Sequence, residues 1–224
     1  MDGPPTIEDF AEAGFNPFTA AKELGGERKL TDPFTELARL RAINPVFEGD
    51  LKAGFGLPTD LTQKQQRQVW ILGYQEARQV LLDPVNYSAE AYRSSVGIYF
   101  GPRAVSIMDD PEHGKVRKVL QHVFGPRAIA RWNEDMIPRT IHGLIDGFEH
   151  KGRVDLVEAF TLRFPFHFIH ELMDLPDEHR DIFHKLAFGQ LMITFDERHG
   201  MEAVGKIRDY VTALIAWRRA HPQP

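Results

Sequence analysis

The sequence predicts a mainly α protein with a small β-sheet region, and three observations predict it. From Asp110-Pro111 almost to the last residue, apolar side chains recur at helical spacing, broken by glycine and proline. Two short apolar runs, one around Val46 and one from Val69 to Gly73, fit buried strands, so that two or three strands form a small sheet. A hydrophobic content of 42% over 224 residues is enough to build one core.

Each element follows in order. Residues 1–30 are rich in glycine, proline and charge with scattered apolar residues, which predicts an irregular arm on the surface. Thr31-Asp32-Pro33 offers a cap before proline, and Phe34, Leu37, Ala38 and Leu40 follow at helical spacing, predicting a helix over 34–42. Gln75 to Leu82 reads as a helix closed by Asp83-Pro84, and Ser88 to Ser106, with Val96, Ile98, Tyr99 and Phe100 among glycine and serine, as a long loop. Beyond Pro111, Gly125 fits a left-handed helix terminator and Pro126 the first turn of the next helix. Gly152, Pro165, Pro176 and Gly200 punctuate the rest. One helical face carries Ile137, Ile141, Leu144, Ile145 and Phe148, with Pro138 in its first turn. A second carries Phe183, Leu186, Ala187, Gln190, Leu191 and Thr194, and a third Val204, Ile207, Val211, Leu214 and Ile215. Phe-Gly-Pro-Arg occurs at 100–103 and at 124–127, but the flanking residues do not match, so it is no repeat.

Composition narrows function. The net charge of −5 with interspersed signs gives no basic stripe for nucleic acid and no polybasic tail for anionic lipid. The zero cysteine count removes disulfides, zinc-thiolate sites, iron–sulfur ligation and cysteine nucleophiles together. Met1 to Phe18 lacks a cationic region followed by a long apolar run, so neither signal peptide nor membrane anchor is read there and a cytoplasmic protein is expected.

The stretch from Met108 to Phe124 is the most informative. At 3.6 residues per turn His113, Arg117, Leu120 and Phe124 fall on one narrow arc, so two groups able to carry positive charge share a stripe with two large apolar side chains. One reading is that both donate to a single carboxylate or other anion. The other is that Arg117 reaches out to water while His113 sits exposed in the first turn.

Ile107-Met108-Asp109-Asp110-Pro111-Glu112-His113, Arg117 and Phe124-Gly125-Pro126-Arg127 resemble the bacterial cytochrome P-450 pattern of Asp-Pro-Pro-Glu-His, a basic residue four further on, and Phe-x-Pro-Arg at the helix end. Trp70 to Tyr74, Leu82-Asp83-Pro84 and Tyr87-Ser88 resemble that family's strand, short helix and Asp-Pro-x-x-(Phe/Tyr)-Ser turn. Gly152 to Val157, Phe164-Pro165 and Leu172 to Pro176 resemble its landmarks of helices D, E and F. The colinear order across Phe34 to Arg219 carries the resemblance, with Asp110 in place of a proline and Asp174 in place of a common glycine.

The resemblance implies the N-terminal half of one cytochrome P-450 domain, helices A to G. Residues 1–30 would be an arm, 31–110 helices A and B with the sheet and the B to C loop, and 111–224 helices C to G. It implies a haem-dependent monooxygenase that inserts one oxygen atom from O2 into a small apolar substrate. The cofactor is haem b, with electrons from NAD(P)H passed by a ferredoxin-type redox partner. His113 and Arg117 would hold a haem propionate, and Ile98, Tyr99, Phe100, Ser106, Gln190, Leu191 and Thr194 would contact substrate, although the loop aromatics equally fit simple packing. The family's iron is ligated by a cysteine thiolate. This sequence has no cysteine, so the stretch is expected to be inactive alone, with no catalytic residue within it and no metal ligand. Glu-x-x-Arg at Glu36 to Arg39 and at Glu90 to Arg93 lies upstream of the C helix and is read as chance.

A different class of function is a helical non-haem metal-binding or interaction protein using His167, His170 and Glu171. Those histidines lie in the aromatic run Phe164 to Ile169 without the glutamate spacing of a zinc protease, which favours packed histidines.

Overall fold

Asp32 caps the first long helix as its position before proline requires: its carboxylate accepts the N–H groups of Phe34 (3.1 Å) and Thr35 (3.2 Å), two of the donors a helix start leaves orphaned. The computed structural model describes residues 3–24, 32–57, 67–94, 96–101 and 103–222, and in addition leaves the side chains of Leu24, Ser94, Ile98 and Tyr99 undescribed. Its described elements are α1 (Pro17–Leu24), α2 (Pro33–Ile43), β1 (Val46–Glu48), α3 (Leu51–Gly54), β2 (Val69–Ile71), α4 (Tyr74–Leu81), α5 (Val96–Phe100), α6 (Glu112–Val123), α7 (Pro126–Glu134), α8 (Met136–Asp146), α9 (Phe164–Leu172), α10 (Arg180–Leu191) and α11 (Glu197–Ala220). Short 3-10 turns lie at Ala89–Ser94, Val105–Ile107, Asp177–His179 and Met192–Thr194, and a π-helical turn at Val157–Thr161. The chain is thus mostly helical, with one two-stranded antiparallel sheet in which Val46 faces Ile71 and Phe47 faces Trp70.

The chain divides into two compact units. The first takes the described residues of 1–15, 117–190 and 202–224. Its core joins Ile7, Phe10, Leu175, Phe183, Leu186, Ala203, Tyr210 and Leu214, with Phe15, Ile207 and Trp217 packed against them. Here the arm reading is corrected, because Ile7 and Phe10 are buried and Pro17–Leu24 is helical. Phe10 docks where α10 carries Gly189, at which an added Cβ would lie 2.6 Å from the ring's Cζ. The strap is held by the Lys185 ammonium on Asp9 (2.8 Å), by the Ala11 N–H on Glu202 (2.6 Å) and by Lys206 on the Asp9 carbonyl. A polar segment with two buried apolar anchors does not announce itself by periodicity. Leu191 (57% exposed) and Ile215 (46% exposed) also leave the buried faces assigned to them, since Leu191 closes its helix and Tyr210 and Trp217 complete the α11 face instead.

The second unit takes the described residues of 16–116 and 191–201 and contains α1, the sheet, α2 to α5 and the starts of α6 and α11. Buried here are Ile107, Met108, Met192 and Ile193. Two glycines act differently from the punctuation read in the sequence. Gly200 lies inside α11, where a Cβ would come within 2.5 Å of the Ile193 Cα, so it permits backbone contact and does not end a helix. Gly125 is extended (φ −75°, ψ 169°) and precedes α7, and a Cβ there would sit 2.7 Å from the Gln121 carbonyl oxygen. Close approach, not a left-handed turn, requires it.

Candidate functional site

The start of α6 is built by two adjacent aspartates with different reach. Asp110 acts locally, its Oδ1 accepting the Gly114 N–H at 2.9 Å, and it lies 3.7 Å from His113 Nδ1. Asp109 gives its carbonyl to the His113 N–H (2.9 Å) while its carboxylate accepts the Ala89 N–H (2.9 Å) and the Ser88 hydroxyl, both some twenty residues upstream. The Ser88 hydroxyl and then the Ala89 N–H hold the Asp109 carboxyl below the usual carboxylate range, with the Arg93 and His113 charges adding to the effect. His113 is half-buried, whereas Arg117, one turn further along α6, is exposed and has no ion-pair partner among the described residues. No residue of α6 is buried, and Leu120 and Phe124 on the same arc are 37% and 49% exposed.

The stretch read as a long loop, Ser88 to Ser106, consists of a 3-10 turn (Ala89–Ser94), α5 and a second 3-10 turn (Val105–Ile107). The two turns and α5 pack on one another: a Cβ on the buried Gly97 of α5 would meet Ile107 Cδ1 at 3.0 Å. Of the candidate substrate contacts here, Phe100 (44% exposed) and Ser106 face solvent, while the side chains of Ile98 and Tyr99 lie outside the described residues. Leu191 and Thr194 belong to the same unit, with the Thr194 hydroxyl 3.5 Å from the Leu191 carbonyl oxygen; Gln190 and Arg117 belong to the other.

His170 of α9 and His184 of α10 are tied to backbone carbonyls. His170 is 2% exposed and its Nε2–H donates to the Pro176 carbonyl (3.0 Å); His184 Nε2–H donates to the Leu162 carbonyl (3.2 Å). Burial, reinforced by neighbouring His167, pushes the His184 imidazole down to about 4, and burial also lowers His167 and His170. The Glu171 carboxylate is engaged by Arg139 and by the Thr140 hydroxyl (2.9 Å). Among the described residues no group of three histidine, cysteine, aspartate or glutamate side chains is arranged to hold a metal ion. A polar cleft of about 530 Å³ lies beside this network, lined by Arg139, Thr140, His167, His170, Glu171 and Arg180 among others, and a second of about 440 Å³ is lined in part by Leu214, Trp217 and Arg218. None of the candidate substrate contacts whose side chains are described lines either cleft.

Comparison with known proteins shows what the chain is similar to. The chain is 26% identical over 178 residues to a putative cytochrome P-450 (number 126) of Mycobacterium tuberculosis, covering 74% of this chain and 43% of that protein. It is 27% identical over 203 residues to the vitamin D(3) 25-hydroxylase of Pseudonocardia autotrophica, covering 85% and 45%. The solved structure of the Bacillus subtilis polyketide-synthase cytochrome P-450 PksS superposes with a TM-score of 0.68 at 25% identity, over 86% of this chain and 47% of that one. The chain is similar in sequence and in fold to cytochrome P-450s. It spans about half the length of the curated relatives it matches. No family model matches it. The expected fold class holds, with one two-stranded antiparallel sheet among the described residues. Among those residues no helix of the chain is long and apolar enough to cross a membrane.

The contact that spacing reasoning missed is Asp109 on Ser88 and Ala89. Its only signal was an aspartate in the right motif, and nothing in that motif points twenty residues back.

Proposed function

We propose that this chain supplies the N-terminal, haem-flanking part of a haem-dependent monooxygenase acting on a small apolar substrate. The observation that carries the reading is α6, with His113 and Arg117 one turn apart in a chain of cytochrome P-450 fold. Arg117, a cation without an ion-pair partner among the described residues, fits a carboxylate of the haem periphery, and half-buried His113 supplies a second donor. The donors fit the propionates and not the iron, because the sequence contains no cysteine to ligate it. Bound haem would supply the oxygen-activating chemistry. The residues of this chain would orient the porphyrin through His113 and Arg117, and Phe100, Ser106, Leu191 and Thr194, with Ile98, Tyr99 and Gln190, would shape the apolar space for substrate. We assign the chain to helices A to G of one domain, place it in the cytoplasm, and assign electron delivery from NAD(P)H to a ferredoxin-type partner.

The test is a hemin titration of the chain followed at the Soret band, with wild type beside a His113→Ala/Arg117→Ala double variant. Each charge-assisted bond contributes roughly 1.5 kcal/mol or more, so losing both weakens binding by about a hundredfold. Equal affinity in the two proteins overturns the propionate assignment, and absence of hemin binding by wild type overturns the haem reading for this chain.

A further inference from the structure

We infer that Asp109 is a positioning residue: it latches the segment from Ser88 to Ile107 shut and holds it, pre-shaped, at the start of α6. The functional meaning rests on the haem reading above, in which that segment carries Phe100 and Ser106 and α6 carries His113.

The bonds define the latch. Ala89 N–H is among the first donors of the 3-10 turn Ala89–Ser94, which no partner within the turn can satisfy, and the Asp109 carboxylate accepts it at 2.9 Å. The Ser88 hydroxyl donates to the same carboxylate and accepts the Glu90 N–H at 3.0 Å, so two donors at the start of the turn depend on Asp109, one directly and one through Ser88. On its other side Asp109 accepts the His113 N–H through its carbonyl. One residue therefore ends the segment, begins the helix and returns to the segment's first residues. The surrounding charges agree: Arg93 and His113 favour the Asp109 carboxylate, Glu90 is paired with Arg93 at 2.7 Å, and Asp110 lies near His113.

Closing a segment of this length costs chain entropy, which charge-assisted bonds at its two ends offset together with its own packing. That packing is present: Ile107 and Met108, just before the latch, are 2% and 8% exposed, and Gly97 admits Ile107 at the closest spacing a Cβ would allow. Phe100 and Ser106 remain open to solvent. The described residues of the segment are thus fastened at Asp109, while Phe100 and Ser106 are available to a ligand. Asp110 supplies an internal control, being the same residue type one position along with only local bonds.

The experiment is hydrogen–deuterium exchange by mass spectrometry on the whole chain. It compares wild type with Asp109→Ala, Asp109→Asn, Ser88→Ala, the Ser88→Ala/Asp109→Ala double variant and Asp110→Ala. Asp109→Ala is expected to raise exchange across 89–107 by about tenfold, leaving 136–146 and 180–190 unchanged. Ser88→Ala gives a smaller rise in the same peptides, and the double variant no more than Asp109→Ala alone, because the two side chains form one interaction. Asn can accept from Ala89 and donate to Ser88, so Asp109→Asn restores most of the protection, whereas Asp110→Ala alters only the first turn of α6. Unchanged exchange at 89–107 in Asp109→Ala, additive effects in the double variant, or an Asn variant that behaves as Ala each overturn the latch. If Asp109→Ala opens the whole chain, Ser88→Ala decides: a rise confined to 89–107 supports the latch, and none removes it. Failure of the hemin titration would remove the haem reading and leave the exchange result standing.

Discussion

Replacing Gly189 by alanine sets two opposed effects against each other, and the structure says which wins. Gly189 is buried in α10, where alanine is preferred to glycine by about 1 kcal/mol. An added Cβ would lie 2.6 Å from Phe10 Cζ and 3.2 Å from the Ala203 Cβ, against roughly 3.5 to 4.0 Å for a comfortable carbon contact. The Phe10 ring has little room to retreat: it is 6% exposed, its centroid is 4.8 Å from that of Phe15, and the Lys185 ammonium stands 5.6 Å from it. Forcing a methyl into such a site costs about 1 to 3 kcal/mol, and expelling the ring instead forfeits about 1.5 to 3 kcal/mol of burial. The net expectation is a loss of up to about 2 kcal/mol, which at a urea dependence of about 2 kcal/mol per molar lowers the midpoint by up to roughly 1 M. Adding Phe10→Leu, which has no atom at the Cζ position, should recover most of that loss in the Gly189→Ala background. The assay is urea unfolding followed by circular dichroism. A midpoint that rises in Gly189→Ala, as helix preference alone dictates, would refute the packing of residues 7–15 on α10.

Two further outcomes follow from single residues. Burial beside His167 pushes the His184 imidazole down to about 4, whereas an unfolded histidine titrates near 6.5. Stability from this group is therefore complete above pH 6.5 and is lost as pH falls from 6.5 through 4, by on the order of 1 kcal/mol at pH 5 after discounting for the ring's partial contact with water. His184→Gln, which keeps a donor for the Leu162 carbonyl, should flatten urea midpoints compared between pH 7.5 and 5, and an undiminished acid drop would exclude His184 as its source. Asp174 has φ 50°, a left-handed conformation that costs a side chain energy, so Asp174→Gly should raise the thermal midpoint by a few degrees, about 0.5 to 1 kcal/mol. Its ion pair with Arg218 is long at 3.7 Å and exposed, while the Arg218 bonds to the Met173 and Asp174 carbonyls survive the change. A lower midpoint would mean that the side chain, not the backbone, governs that turn.

Much of the helical order was readable because caps and breakers act locally. Asp32 before Pro33, Pro126 and Pro138 in first turns, and the apolar spacing through α8, α10 and α11 each report within one or two turns of chain. The failures share a physical cause. A helix of five residues such as α5 completes little more than one turn and has no period to detect, so the stretch from Ser88 to Ser106 read as loop. Ile7 and Phe10 are single anchors in a polar segment, and their partners on α10 and α11 lie far along the chain. Gly125 and Gly200 look like helix stops in sequence because glycine has two uses, positive φ and close approach, and composition does not distinguish them.

The candidate site divides along the same line. His113 and Arg117 could be found by counting because their relation is a helical repeat, the shortest-range regularity a chain possesses. Asp109 and Asp110 show where counting ends: adjacent, chemically identical and equally placed in one motif, they differ only in what they reach. Asp110 satisfies a donor four residues ahead, and its loss costs a helix cap. Asp109 satisfies donors twenty residues behind, and its loss frees a segment. A substitution at the first is therefore expected to fray one turn of α6, while the same substitution at the second changes the shape presented by Phe100 and Ser106. Charge at this site is a property of local sequence; shape is a property of closure, and closure runs through a residue whose importance no local pattern encodes.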